Sequence, residues 1–314
     1  MNSRVHPTYK TKCRVANWPE YERSLVRLGD VTLWLSPGAI AAWKPARDGR
    51  RGGQRKYSDL AIETALTLRL VFGLRLRQTE GFLTSVFGMM GVNLAVPDYT
   101  TLSRRSQHLG VQLHRVPTGN PIQLIIDSTG LSVVGEGEWA VAKHGGKGRR
   151  GWKKLHLGVD GAGVIVAQVL TEGHADDASQ VGELLDVVDG DITNVVGDAA
   201  YDTVAVYDVA SARGAEVVVP PTRTAVVSRR RPRSAARDRT IKRVEEVGRR
   251  QWKTEAGYHQ QGTVENAFFR YKTIIGPSLR ARQPDAQGAE AQVACNVLNR
   301  MTQLGRPASY SIGA

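Results

Sequence analysis

The stretch Ile122-Gln123-Leu124-Ile125-Ile126-Asp127-Ser128-Thr129-Gly130 decides how the chain is read. Pro121 precedes a short apolar run and turn residues follow it, which predicts a buried strand ending in Asp127. A second run, Asn194-Val195-Val196-Gly197-Asp198, has the same form, with Ala199-Ala200-Tyr201-Asp202 after it. If the two strands are parallel neighbours, both carboxylates emerge at one sheet edge. Carboxyl ends of strands are where open α/β sheets bind ligands. One aspartate closing a strand is commonplace, often a cap for the next helix. Two of them, matched by a third acid, say more.

Between the two runs, Leu155 to Asp160 and Val164 to Leu170 predict a hairpin around Asp160-Gly161, a type I′ turn signal. A helix opened by Asp176 or Asp177 carries Val181, Leu184, Leu185 and Val188 on one stripe. After Asp198, Thr203 is the expected cap of a helix to Arg213. Asp202 could also cap that helix, the favoured reading, or support Asp198. Ala215 to Val219 reads as a last strand before Pro220-Pro221. Strand, hairpin, helix, strand, helix, strand is an α/β order.

The third acid is Glu265, within Tyr258-His-Gln-Gln-Gly-Thr-Val-Glu-Asn-Ala-Phe-Phe-Arg-Tyr-Lys272. At about 100° per residue, Tyr258, Gln261 and Lys272 fall within about 40° of Glu265 on a helix. Val264, Phe268, Tyr271 and Ile275 form the adjacent apolar stripe, so Glu265 sits at the edge of the buried face. Gly262 either permits close approach of a nucleic-acid backbone or marks the true helix start. Three carboxylates from separate elements are what hard divalent cations take as ligands. Two Mg²⁺ about 4 Å apart can activate an attacking hydroxyl and stabilise the leaving oxygen of a phosphodiester.

Charge points to the same substrate. The 314 residues carry 43 Lys/Arg against 30 Asp/Glu, a net of +13. Such an excess suggests a polyanionic partner, nucleic acid first and an anionic membrane surface second. The cations cluster in three runs: Lys44 to Lys56, a Gly-rich Lys143 to Lys154, and Arg223 to Arg250. The last has eleven Lys/Arg against Asp238, Glu245 and Glu246, and such runs suit phosphate contact. Residues 57–107 read as three helices, capped by Asp59, by Thr79, and by Thr100 or Thr101. The last carries Arg104, Arg105 and His108, a pattern that suits a helix-turn-helix-like unit. Trp18, Trp34 and Trp43 should pack, in places the sequence leaves open.

Apolar residues at 41% and charged residues at 23% describe a globular chain. Two cysteines, Cys13 and Cys295, exclude a disulfide scaffold and a Cys-rich zinc module. With no apolar leader and no run of the roughly 18 residues that a membrane helix needs, a cytoplasmic protein is expected. His144, His156 and His174 match no zinc spacing, so packing or surface roles are expected for them. Trp252 could stack on a base or pack in the core.

Taken together these stretches resemble bacterial insertion-sequence transposases of the DDE class. Leu124 to Gly130, Trp152 to Leu157, Val196 to Thr203 and Tyr258 to Gly276 carry the match, and with Tyr57 to Arg105 they cover most of residues 57–304. The resemblance implies a ribonuclease-H-like mixed sheet flanked by helices, with an all-α helix-turn-helix-like region before it. It implies Asp127, Asp198 and Glu265 as ligands of Mg²⁺, with Mn²⁺ able to substitute. A related subgroup has a Tyr-Arg-Glu-Lys signature that maps to Tyr258, Gln261, Glu265 and Lys272. Gln261 departs from it, because Gln brings no charge and no bidentate fork. Arg270 or a residue of the 223–250 run could substitute. Ala199 is a second departure, where relatives often have Gly. DNA contacts are expected from Tyr258, Gln261, Arg270, Lys272, Arg104, Arg105, Lys153 and Lys154.

The expected activity is strand cleavage at terminal inverted repeats followed by transfer into target DNA. A dimer or larger assembly on DNA is expected with it. A nuclease that cuts without joining, and a non-catalytic DNA-binding regulator, are the alternatives. The expected organisation is an unassigned arm (1–55), a helical DNA-binding region (56–115) and a first part of the catalytic core (116–220). A basic insertion (221–254) and C-terminal core helices (255–310) complete it.

Overall fold

The computed structural model describes residues 13–46, 49, 53–114, 120–133, 151–228 and 234–311. His144, the Gly-rich basic segment before residue 151, and residues 229–233 lie outside them. In chain order the elements are β1 (Cys13–Val15), α1 (Trp18–Arg27), α2 (Val31–Trp34), α3 (Pro37–Ala41), α4 (Asp59–Val71), α5 (Leu76–Met89) and α6 (Tyr99–Arg105). Then follow β2 (Ile122–Val133), β3 (Trp152–Val159), β4 (Ile165–Glu172), α7 (Val181–Asp186), β5 (Ile192–Val196), α8 (Val204–Ala212) and β6 (Glu216–Val218). The chain ends with α9 (Ala235–Val247), α10 (Arg249–Glu255), α11 (Gly262–Arg270), β7 (Ser278–Leu279), α12 (Pro284–Leu304) and β8 (Ser309–Ser311), which pairs with β1.

The main sheet runs β4-β3-β2-β5-β6, with β7 beside the far end of β2. β4, β3 and β2 are antiparallel, whereas β5, β6 and β7 join in parallel. This mixed sheet with helices on both faces is consistent with a ribonuclease-H-like core. On one face Leu124, Ile126, Val195 and Val166 meet Val181, Leu184, Leu185 and Val188, the stripe read from the sequence. On the other, Ile125, Leu131, Leu155 and Leu157 meet α11 and α12. That second core continues without a break into α4, α5 and α6, through Ile62, Leu68, Leu83 and Phe87.

Trp34 and Trp43 are buried in it, and Trp43 donates its Nε1–H to the Ala95 carbonyl at 2.8 Å. Trp252 is also buried, while Trp18 is half exposed. Two buried asparagines of α12 tie it to its neighbours. Asn299 donates to the Ile165 carbonyl and accepts from its N–H, each at 2.8 Å. Asn296 bonds the His114 N–H and the Gln112 carbonyl.

Several local expectations change. β2 does not stop at Asp127. Pairing with β3 runs on to Ser132–Trp152, so Ser128-Thr129-Gly130 is strand rather than turn. A long partner strand overrides their turn preference, and Gly130 leaves room for the Trp152 ring, 3.2 Å from where a Cβ would sit. The hairpin loop is longer than a two-residue type I′ turn. Asp160 Oδ1 accepts the Val164 N–H at 2.8 Å, and the left-handed residue is Gly163, φ 71°, not Gly161.

The caps fall on neighbours of those expected. Ser58 caps α4 instead of Asp59, accepting from the Ala61 N–H. Asp98 caps α6 instead of Thr100 or Thr101, and accepts from both of their N–H groups. α5 begins at Leu76, where Gln78 Oε1 accepts the Arg75 N–H at 2.9 Å, so Thr79 lies inside the helix and is fully buried. Asp176 opens the turn before α7 and Thr203 caps α8, both as read.

Candidate active site

The parallel β2–β5 ladder ends at Ile125–Val196. Asp127 and Asp198 each lie two residues beyond that pair, so both carboxylates stand at the same end of the same two strands. Asp127 opposes Leu157 of β3. Directly opposed residues share a face, and Leu157 belongs to the core beneath α11 and α12. Asp127 is thus turned to the layer that carries Glu265. Glu265 is exposed on the first turn of α11, and α11 packs on β2.

Electrostatics ties the three acids together. Burial, then the charges of Asp198, Asp177 and Glu265, push the Asp127 carboxyl up to about 6, against the Ser128 N–H that it accepts at 2.7 Å. A half-buried carboxylate among three further negative charges disfavours its own ionised form. Adding a divalent cation there would reverse that balance, and the donors are hard oxygens, so the residues present fit Mg²⁺ or Mn²⁺. Among the described residues, no three His, Cys, Asp or Glu side chains are drawn close enough to hold a metal as they stand.

Tyr258 and Tyr201 border the acids. The Tyr258 hydroxyl is held above its ordinary value by burial and then by Asp198, Glu265 and Asp127. Its ring lies against Trp252, with Lys253 Nζ 4.5 Å from the ring centre. Tyr201 is fully buried, its hydroxyl has no hydrogen-bond partner among the described residues, and burial followed by Asp127, Asp177 and Asp198 raises it. The sequence reading passed over Tyr201, although it lies within the quoted 196–203 stretch.

Tyr258 to Lys272 is not one α-helix. A 3₁₀ turn, Tyr258–Gln261, leads into α11 at Gly262, and a π turn, Tyr271–Ile275, follows. Gly262 therefore marks the helix start. The 100° arithmetic holds within α11 and not beyond it, because 3₁₀ and π turns wind differently.

The expected DNA contacts divide. Arg104 and Lys272 are exposed. Arg105 pairs with Asp59 and donates to the Tyr57 carbonyl. Arg270 donates to Thr302 Oγ1 and the Leu298 carbonyl of α12. Lys153 pairs with Glu172, and Lys154 lies 3.1 Å from Asp177. Gln261 is buried. In the 223–250 run, Arg243 pairs with Glu255 and Glu246, while Arg223, Arg239, Lys242 and Arg250 are exposed. Asp202 neither caps α8 nor supports Asp198. Arg237 binds it with two nitrogens, and the Thr222 N–H donates to it. His156 is buried against Thr171, and His174 is exposed.

Gly197 is set tightly between these groups. A Cβ there would lie 2.9 Å from Tyr201 Cδ2 and 3.3 Å from Ile126 Cγ1. Gly197→Ala must therefore shift the Tyr201 ring or the Asp198 backbone. It should cost about 1–3 kcal/mol, read as a lower urea midpoint.

A family model described as a Transposase DDE domain matches residues 118–300, and a second of the same description matches residues 26–136. Among the described residues, no helix is long and apolar enough to cross a membrane. With the first match alone spanning more than half of its length, the chain belongs to the DDE transposase family.

Proposed function

We propose that this chain cuts DNA strands at the terminal inverted repeats of an insertion sequence and joins the freed ends to target DNA. Asp127, Asp198 and Glu265 would hold the divalent cations. The observation that carries this reading is the placement of the two aspartates two residues past the last β2–β5 pair, with Glu265 on a helix packed on β2. Bound divalent cations would lower the pKa of the attacking hydroxyl and offset charge on the leaving oxygen.

The protein's own groups do the rest. β2 and α11 carry the first and third carboxylates on regular secondary structure. Tyr258 keeps its proton, because burial and then the neighbouring carboxylates oppose its ionisation. A protonated phenol donates to a phosphate oxygen and is a poor nucleophile, so no covalent protein–DNA intermediate is invoked. Lys272 and Arg104, both exposed, are free to meet phosphates. Water and then a 3′-hydroxyl would be the successive nucleophiles. Two ends acting in one event require at least two copies of the chain.

The test uses end DNA in two forms. Intact ends should be nicked with Mg²⁺ or Mn²⁺ and left whole with EDTA. Pre-cut ends should be joined to a supercoiled plasmid. Nicking without joining would indicate a nuclease, and end binding without nicking a regulator.

A further inference from the structure

We propose, taking Asp127, Asp198 and Glu265 as the metal-holding acids suggested above, that Gln261 is a positioning residue that locks the strand of Asp127 to the helix of Glu265. Gln261 closes the 3₁₀ turn that leads into α11, one helical turn before Glu265. It is only 5% exposed. Its Nε2 donates to the Ile126 carbonyl at 3.2 Å, one residue before Asp127.

The position of that carbonyl explains the bond. β2 and β5 part after Ile125–Val196, and the Gly197 N–H turns to the Val218 carbonyl at 3.3 Å. Ile126 is thus the first residue of β2 past the parallel ladder. A buried backbone acceptor without a donor is costly, and the Gln261 amide supplies one from the side on which α11 lies. The same bond fixes how far α11 can slide along β2. Among the described residues the buried Gln261 Oε1 has no hydrogen-bond partner, and the residue is 5% exposed. A side chain so placed cannot reach a phosphate without abandoning Ile126.

Ligand sets tolerate misplacement of roughly half an ångström. Groups that orient ligands typically change metal affinity or activity about 10–100-fold when removed. The experiment uses full-length Gln261→Met, which keeps the volume, and Gln261→Leu, which likewise carries no donor and no charge. Mn²⁺ affinity is read by electron paramagnetic resonance without DNA, and kcat and KM for end DNA are read separately. Both variants should bind Mn²⁺ about 10–100-fold more weakly with a matching fall in kcat, and KM for end DNA should stay as in the wild type. Unchanged Mn²⁺ affinity with a raised KM would overturn the proposal and make Gln261 a DNA contact.

Asp127→Asn is run beside them. If it too keeps full Mn²⁺ binding, the reading of the acids fails; if it alone loses it, only the role of Gln261 fails. Should the variants unfold, wild-type protein with ¹⁵N-labelled glutamine decides. The Gln261 side-chain amide should exchange slowly and be unmoved by end DNA, and a shift on DNA binding would overturn the proposal.

Discussion

Asp127→Asn should leave end-DNA binding intact and lower Mg²⁺-dependent strand cleavage by about 10³-fold or more, the upper scale on which loss of one charge-stabilising group acts. Asparagine keeps the shape and can still accept from the Ser128 N–H, so β2 should form as before. What disappears is the negative charge at the point where the fields of Asp198, Asp177 and Glu265 meet. Removing it relieves repulsion in the free protein, so the variant should be no less stable, and melt slightly higher without metal. Weaker metal binding with an unchanged or raised melting temperature is a pattern that misfolding cannot produce. Retained cleavage by Asp127→Asn at saturating Mg²⁺ would remove Asp127 from the ligand set.

The second large effect lies outside the site. Arg237→Ala should destabilise the protein by about 3–5 kcal/mol, because it strands a buried carboxylate. The Asp202 side chain is wholly covered, and Arg237 meets it through Nε at 2.7 Å and a second nitrogen at 2.9 Å. Without the guanidinium, Asp202 keeps one backbone donor, from Thr222. Urea unfolding reads the loss. Asp202→Asn combined with Arg237→Ala should recover part of it, because the buried charge is then gone, and simple additivity of the two losses would refute the coupling. Arg237→Lys should also fall short of wild type, since an ammonium cannot reproduce the two-pronged contact.

The pair illustrates where sequence reading succeeds and where it stops. Asp127 and Asp198 were legible because an apolar run closed by an acid is a local pattern. The stripe Val181-Leu184-Leu185-Val188 was legible for the same reason. The extension of β2 past Asp127 was not, because Ser-Thr-Gly prefers turns locally and only the distant β3 makes it strand. Arg237 counts as one cation of a basic run until Asp202, 35 residues earlier, is found beneath it. Gln261 reads as a weakened DNA contact because the resemblance maps it to the signature's arginine, whose charge it lacks. A 3₁₀ turn instead turns it inward. Local periodicity sees one element at a time, and these partners come from two.

The unbroken core from Trp43 through Leu83 to Val297 and Met301 has a consequence for how such a chain can decay. A copy trimmed of everything before β2 would not be a smaller self-sufficient domain. It would be a sheet whose long last helix lies bare along its flank, fit for proteolysis or clumping and not for reuse.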